Sequence, residues 1–133
     1  MLKKSLTLWV LAILMLLPFA VIGKVDPGYT QNGKASYYHD SLHGRKTASG
    51  EIYNKRAMTA AHKRLPLGSK VRVTDVRSGK SIVVKINDRG PFVKGRIIDL
   101  SRTAATKLGM IKKGVAKVKV EVLSVPKRNR RGS

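Results

Sequence analysis

Thr59-Ala60-Ala61-His62-Lys63, Gly68 and the alternating run Lys70-Val71-Arg72-Val73 are echoed by Thr103-Ala104-Ala105-Thr106-Lys107, Gly114 and Lys117-Val118-Lys119-Val120, at an offset of 44 to 47 residues. A twice-repeated unit constrains the fold more than any single element does. Two copies are too few for a solenoid, which needs at least about three stacked units. They fit a closed barrel made of two related halves, and chance in a Lys- and Ala-rich chain is the competing explanation.

The remaining pattern is mostly strand. Lys70 to Thr74 alternates apolar with polar, Ser81 to Ile86 is β-branched and nearly continuous, and Lys117 to Val122 alternates again. Arg77-Ser78-Gly79-Lys80 separates the first two runs as a hairpin turn. One short helix is expected over Arg102–Leu108, with Ser101 as N-cap and Gly109 as its stop.

The ends differ from this middle. Met1-Leu2-Lys3-Lys4, the apolar stretch from Leu6 to Leu17, Pro18, and Val21 and Gly23 at the −3 and −1 positions of a cleavage point read as a secretory signal peptide over 1–23. An uncleaved anchor is the alternative. Residues 24–32 read as a linker, 33–123 as the folded domain and 124–133 as a basic disordered tail. A domain of this size buries enough surface for one modest core, and the chain has no cysteine to add disulfides, metal thiolates or a lipid anchor.

The chain has 28 Lys and Arg against 7 Asp and Glu, and of the formal +21 only Lys3 and Lys4 fall in the leader. The +19 that remains implies an anionic partner. With an export leader, few aromatics and no recognised nucleic-acid motif, an acidic envelope polymer is expected rather than specific nucleic acid.

The scarcity of acids shortens the search for chemistry. Asp26 falls in the linker, and Asp75 and Glu121 sit next to or within alternating strands, where solvation is their plain role. Asp40, Glu51, Asp88 and Asp99 remain. Taken singly, Asp88 reads as an Asx-turn residue and Asp99 as a carboxylate favoured by a helix N-terminus.

Together the segments are more specific. Gly33-Lys34-Ala35-Ser36-Tyr37-Tyr38, Thr47-Ala48-Ser49-Gly50-Glu51, Thr59-Ala60-Ala61-His62, Leu65-Pro66-Leu67-Gly68, Asn87-Asp88-Arg89-Gly90-Pro91-Phe92 and Arg96-Ile97-Ile98-Asp99-Leu100-Ser101 resemble, in that order, the rare lipoprotein A family. The likeness runs from about Gly33 to Leu123. It implies an all-β fold, a six-stranded double-psi β-barrel with one or two short helices. The same barrel occurs in expansins, which loosen walls without hydrolysis, and in related transglycosylases.

The activity the resemblance implies is endolytic cleavage of peptidoglycan between N-acetylmuramic acid and N-acetylglucosamine, leaving a 1,6-anhydro end. One carboxyl group can protonate the leaving oxygen and then accept the proton of the C6 hydroxyl. No metal or other cofactor is needed. Asp88 is expected as acid and then base, because its turn follows a buried strand and partial desolvation favours the protonated form. Glu51 and Asp99 are the candidates for a second carboxylate, with a binding or orienting role as an equal reading of Asp99. Ser36 and Tyr37 match the family's groove edge, and His62 and Arg89 complete the expected substrate-binding set; core or rim packing is as good a reading of the tyrosines and of His62.

His39 and His43 have i, i+4 spacing, but Asp40 to Arg45 reads as a loop, so no zinc site is expected. The expected partners are glycan strands and acidic envelope polymers, the expected state is a monomer, and the expected location is the periplasm or outside the cell without a lipid anchor. The competing function is a non-catalytic, expansin-like module that binds or loosens wall glycan.

Overall fold

A computed structural model describes residues 25–127. The expected leader and the tail beyond Lys127 lie outside the described residues. Six strands run in the order β1 (Thr30–Tyr37), β2 (Thr59–His62), β3 (Lys70–Asp75), β4 (Ser81–Asp88), β5 (Arg96–Leu100) and β6 (Ala116–Ser124), with helix α1 (Arg102–Leu108) between the last two and a 3-10 turn at Asp40–Leu42. They close into a barrel ordered β1-β5-β2-β4-β3-β6. β1 with β5 and β2 with β4 are parallel, and the other four pairings are antiparallel.

Exchanging β1, β2 and β3 with β4, β5 and β6 leaves every pairing unchanged. The barrel therefore consists of two related halves, as the internal echo suggested, yet the echo itself is one element out of step. β3 and β6, which end the two copies, are equivalent strands. Thr59-Ala60-Ala61-His62, however, is the wholly buried strand β2, whereas Thr103-Ala104-Ala105 lies in α1. Local caps decide the second case: the Ser101 hydroxyl accepts from Ala104 N–H and Gly109 ends the helix in the left-handed region at φ 80°. In the first case β4 and β5 flank the segment on both sides, and pairing overrides alanine's helix preference.

Alternation sets the core. Val71, Val73, Ile82, Val84, Ile86, Val118, Val120 and Val122 point inward and are buried, while Lys70, Arg72, Lys117 and Lys119 face solvent. On α1, Ala104, Ala105 and Leu108 are buried against the barrel. The first strand opens at Thr30, so three residues expected in the linker pair with β6, through Thr30↔Glu121, Gln31↔Val120 and Asn32↔Lys119. Gly28 N–H also donates to Val122 carbonyl at 2.7 Å.

Asp75 differs from its expected role. It is buried, and its Oδ1 accepts from the N–H groups of Arg77 at 2.8 Å and Ser78 at 3.2 Å, closing the β3–β4 hairpin as an Asx turn. A hairpin with few residues has few other acceptors for those amides.

Candidate active site

β2 lies between β4 and β5, and its Ala61 pairs with Asp88 on one side and Asp99 on the other. The two acids are thus held two strand spacings apart, on the order of 10 Å between Cα atoms, over a residue with only a methyl side chain. Directly paired positions share a face of the sheet. Both carboxyls accordingly line one cavity of about 260 Å³, with Tyr38, Tyr53, Arg89 and Phe92 among its walls.

Asp88 sits where β4 leaves the barrel, and three donors converge on it. Tyr38 hydroxyl donates to Oδ2 at 2.5 Å, and the N–H groups of Ala48 and Arg89 donate to Oδ1 at 2.9 Å. Such a set suits an ionised carboxylate, which can only accept. Asp99 is held differently. It accepts from Ser36 hydroxyl at 3.1 Å, because β1 and β5 bring Ser36 and Asp99 into register. Burial pushes its carboxyl up to about 6, against smaller opposing effects from the Ser36 hydrogen bond and the Arg96 charge. Desolvation therefore favours the protonated form of Asp99, one of the two residues expected as a second carboxylate.

Tyr38 is the site residue the sequence reading passed over for its neighbour. Tyr37 points the other way along β1: its hydroxyl donates to Ile111 carbonyl at 2.9 Å and Arg102 lies over its ring at 5.7 Å. Period-two alternation from Ser36 would have selected Tyr38 instead. Burial and the bond to Asp88 push the Tyr38 hydroxyl well above its ordinary range, so it stays a donor. Its ring meets Tyr53 edge-on at 4.4 Å, and burial likewise raises the Tyr53 hydroxyl.

Glu51 and His62 fall apart from the pair, and Arg89, although beside Asp88, directs its guanidinium elsewhere. The Thr47–Glu51 loop supplies Ala48 N–H to Asp88, but the exposed Glu51 carboxylate pairs with Lys85 Nζ at 2.9 Å and does not line the cavity. Arg89 turns its guanidinium onto the carbonyls of His62 at 3.1 Å and Leu65 at 2.7 Å, tying the β4 exit to the loop after β2. His62 is buried; its Nδ1 accepts from Arg64 and Leu65 N–H, and Nε2 bonds Gln31 Oε1 at 2.8 Å. With Nδ1 occupied as an acceptor, the ring is neutral, and burial lowers its pKa to about 4. His62 lines a second, larger cavity of about 660 Å³ that contains neither acid. The smaller cavity holds the candidate chemistry, since size carries no reactive group.

His39 Nδ1 bonds the Ser41 hydroxyl and His43 Nδ1 accepts from Lys55 N–H, so the two rings are engaged separately within and beyond the 3-10 turn.

The strand order and site define a double-psi β-barrel with paired carboxyls beside β2. Solved structures agree in fold: a Streptomyces papain inhibitor superposes with TM-score 0.61 at 24% identity, over 76% of this chain and 100% of that one. An expansin of Clavibacter michiganensis superposes with TM-score 0.57 at 21% identity, over 74% of this chain and 52% of that one. The lytic transglycolase family model matches residues 30–120, and the chain belongs to that family. Among relatives, the endolytic peptidoglycan transglycosylase RlpA of Pasteurella multocida is 56% identical over 107 residues, 80% of this chain and 36% of that protein. The protein of the same name from Vibrio cholerae is 55% identical over 104 residues, 78% of this chain and 40% of that protein. The chain thus spans well under half the length of these relatives.

Proposed function

We propose that this protein is an endolytic peptidoglycan transglycosylase in which Asp99 is the acid and then the base, and Asp88 the stabilising anion. The observation that carries the reading is the placement of both carboxyls against Ala61 in one cavity, with burial raising Asp99 to about 6. Family membership and the names of the relatives support the same chemistry.

In this mechanism the Asp99 carboxyl gives its proton to the glycosidic oxygen as the bond from C1 of N-acetylmuramic acid breaks. The departing N-acetylglucosamine leaves with a free hydroxyl. Positive charge develops at C1 and the ring oxygen, opposite the fixed carboxylate of Asp88. The C6 hydroxyl oxygen of the same sugar then bonds to C1, and its proton passes to Asp99, which regenerates the acid. No water enters, and the product is a 1,6-anhydro end. Tyr38 positions Asp88, and Ser36 orients Asp99. The substrate is a glycan strand of the cell envelope, to which an exported chain has access.

Purified protein incubated with glycan strands tests this by mass spectrometry of the products. Anhydro ends are expected from the native chain and a loss of at least about a hundredfold from Asp99→Asn or Asp88→Asn, the scale of general acid–base catalysis. Glycan binding without any anhydro product from the native chain would replace the enzyme with an expansin-like binding module.

A further inference from the structure

The larger cavity, which the proposed reaction leaves unused, has a distinct chemical character. Leu65 and Ile97 give it apolar surface, Tyr29 adds a half-exposed aromatic ring, and the neutral His62–Gln31 pair forms part of the wall. Lys63, Arg64 and Arg96 surround it, against Asp26 as the one acidic residue in its lining. The three ion pairs among the described residues involve none of these cations. Three positive groups outside every ion pair among the described residues, around a concavity with apolar and aromatic surface, suit a sugar that bears a carboxylate.

The walls of the two cavities are also linked through β5 and Arg89. Arg96 and Ile97 precede Asp99 on β5, so its near wall lies roughly 10 Å or less along the strand from the acid. Arg89, in the wall of the smaller cavity, bonds the carbonyls of His62 and Leu65 in the larger one. A strand threaded past Asp99 would place a neighbouring sugar there.

Resting on the glycan-cleaving reading, we propose that this cavity is a subsite for a carboxylate-bearing sugar of the strand, recognised by Lys63, Arg64 and Arg96. The carboxylate is either the free lactyl group of N-acetylmuramic acid or the acid of an attached peptide. Recognition of one charge at a fixed place beside the scissile bond would select where along the strand the cut falls.

Binding is measured by calorimetry in an Asp99→Asn background, which keeps the ligand uncut. The ligands are neutral chitohexaose, amidase-stripped glycan and peptide-bearing glycan. Stripped or peptide-bearing glycan is expected to bind about tenfold more tightly than chitohexaose, the worth of one charge-assisted contact. Lys63→Gln/Arg64→Gln should abolish that preference, while Lys117→Gln/Lys119→Gln, which removes the same charge from the outer face of β6, should keep it. Tighter binding of stripped glycan assigns the contact to the lactyl carboxylate, and tighter binding of peptide-bearing glycan to the peptide. A preference unchanged by the first double variant, or lost equally in both, overturns the subsite. Anhydro products from Asp99-intact protein are followed in parallel: their absence with a charge preference retained removes the enzyme and keeps the site, whereas cleavage without the preference does the reverse.

Discussion

The half-buried Asp99 and the buried His62 make opposite contributions to stability. Asp99 is raised from 3.8 to about 6, so the native state holds the extra proton between those values, and its contribution falls as pH rises through them. His62 is lowered from 6.5 to about 4, so the unfolded state binds the extra proton, and its contribution is lost as pH falls through that window. The slopes overlap and oppose each other between about 4 and 6. Asp99→Asn should therefore raise the unfolding midpoint at pH 8 by about 5 °C, the effect of roughly 1 kcal/mol in a domain of this size, and the gain should vanish below pH 4. His62→Asn keeps an acceptor near the position of Nδ1 and should narrow its stability gap to the native chain as pH falls from 6.5 to 4. Thermal unfolding across pH 4–8 checks both signs. In catalysis, loss of the Asp99 proton should make activity fall as pH rises above about 6, a limb missing from any residual activity of Asp99→Asn. Tyr38→Phe removes a hydrogen bond to a charged group, worth about 1.5–3 kcal/mol, and should lower kcat about tenfold or more with KM little changed.

At the level of elements, the position of each acid follows from pairing with β2, whose small residues leave room between them. Ala61→Leu would place a larger side chain between Asp88 and Asp99. It should cost roughly 1–3 kcal/mol through overpacking and reduce cleavage further than that loss explains, read by comparing chemical unfolding with product yield. Gly33 has a comparable steric role in β1. A Cβ there would lie 2.6 Å from Ile97 Cγ2, so Gly33→Ala should displace Ile97 at the larger cavity and lower stability by about 1–3 kcal/mol. The strands around these positions were legible because valines alternate with charged residues in β3 and β6, and the helix was legible because Ser101 and Gly109 cap it. β2 was not, since Thr-Ala-Ala carries no periodicity and is strand in one place and helix in another. Its state depends on two partner strands that are remote in sequence.

At the scale of the whole barrel, among the described residues, the positive charge is spread over several strands, including β1, β3, β4 and β6. Lys34 lies directly opposite Lys117, and Lys70 opposite Lys85, arrangements in which like charges weaken the sheet unless an anion screens them. Added salt should therefore stabilise the fold modestly while weakening attachment to anionic glycan, and unfolding and binding measured from low to high ionic strength should move in opposite directions. Among the described residues, no helix is long and apolar enough to cross a membrane.

Residue order alone determined the alternating strands, the capped helix and the short roster of acids, because alternation, caps and composition are local properties, while the barrel's class was implied by the resemblance to a family. It also placed Asp88 and Asp99 in segments typical of the family. Tertiary structure alone decided that Asp99 is desolvated, that Tyr38 rather than Tyr37 faces the pair, and that Glu51 and Arg89 are engaged by Lys85 and by backbone carbonyls. Those properties depend on register across β1, β5, β2 and β4, and register is set by the closure of the barrel, which no single segment encodes.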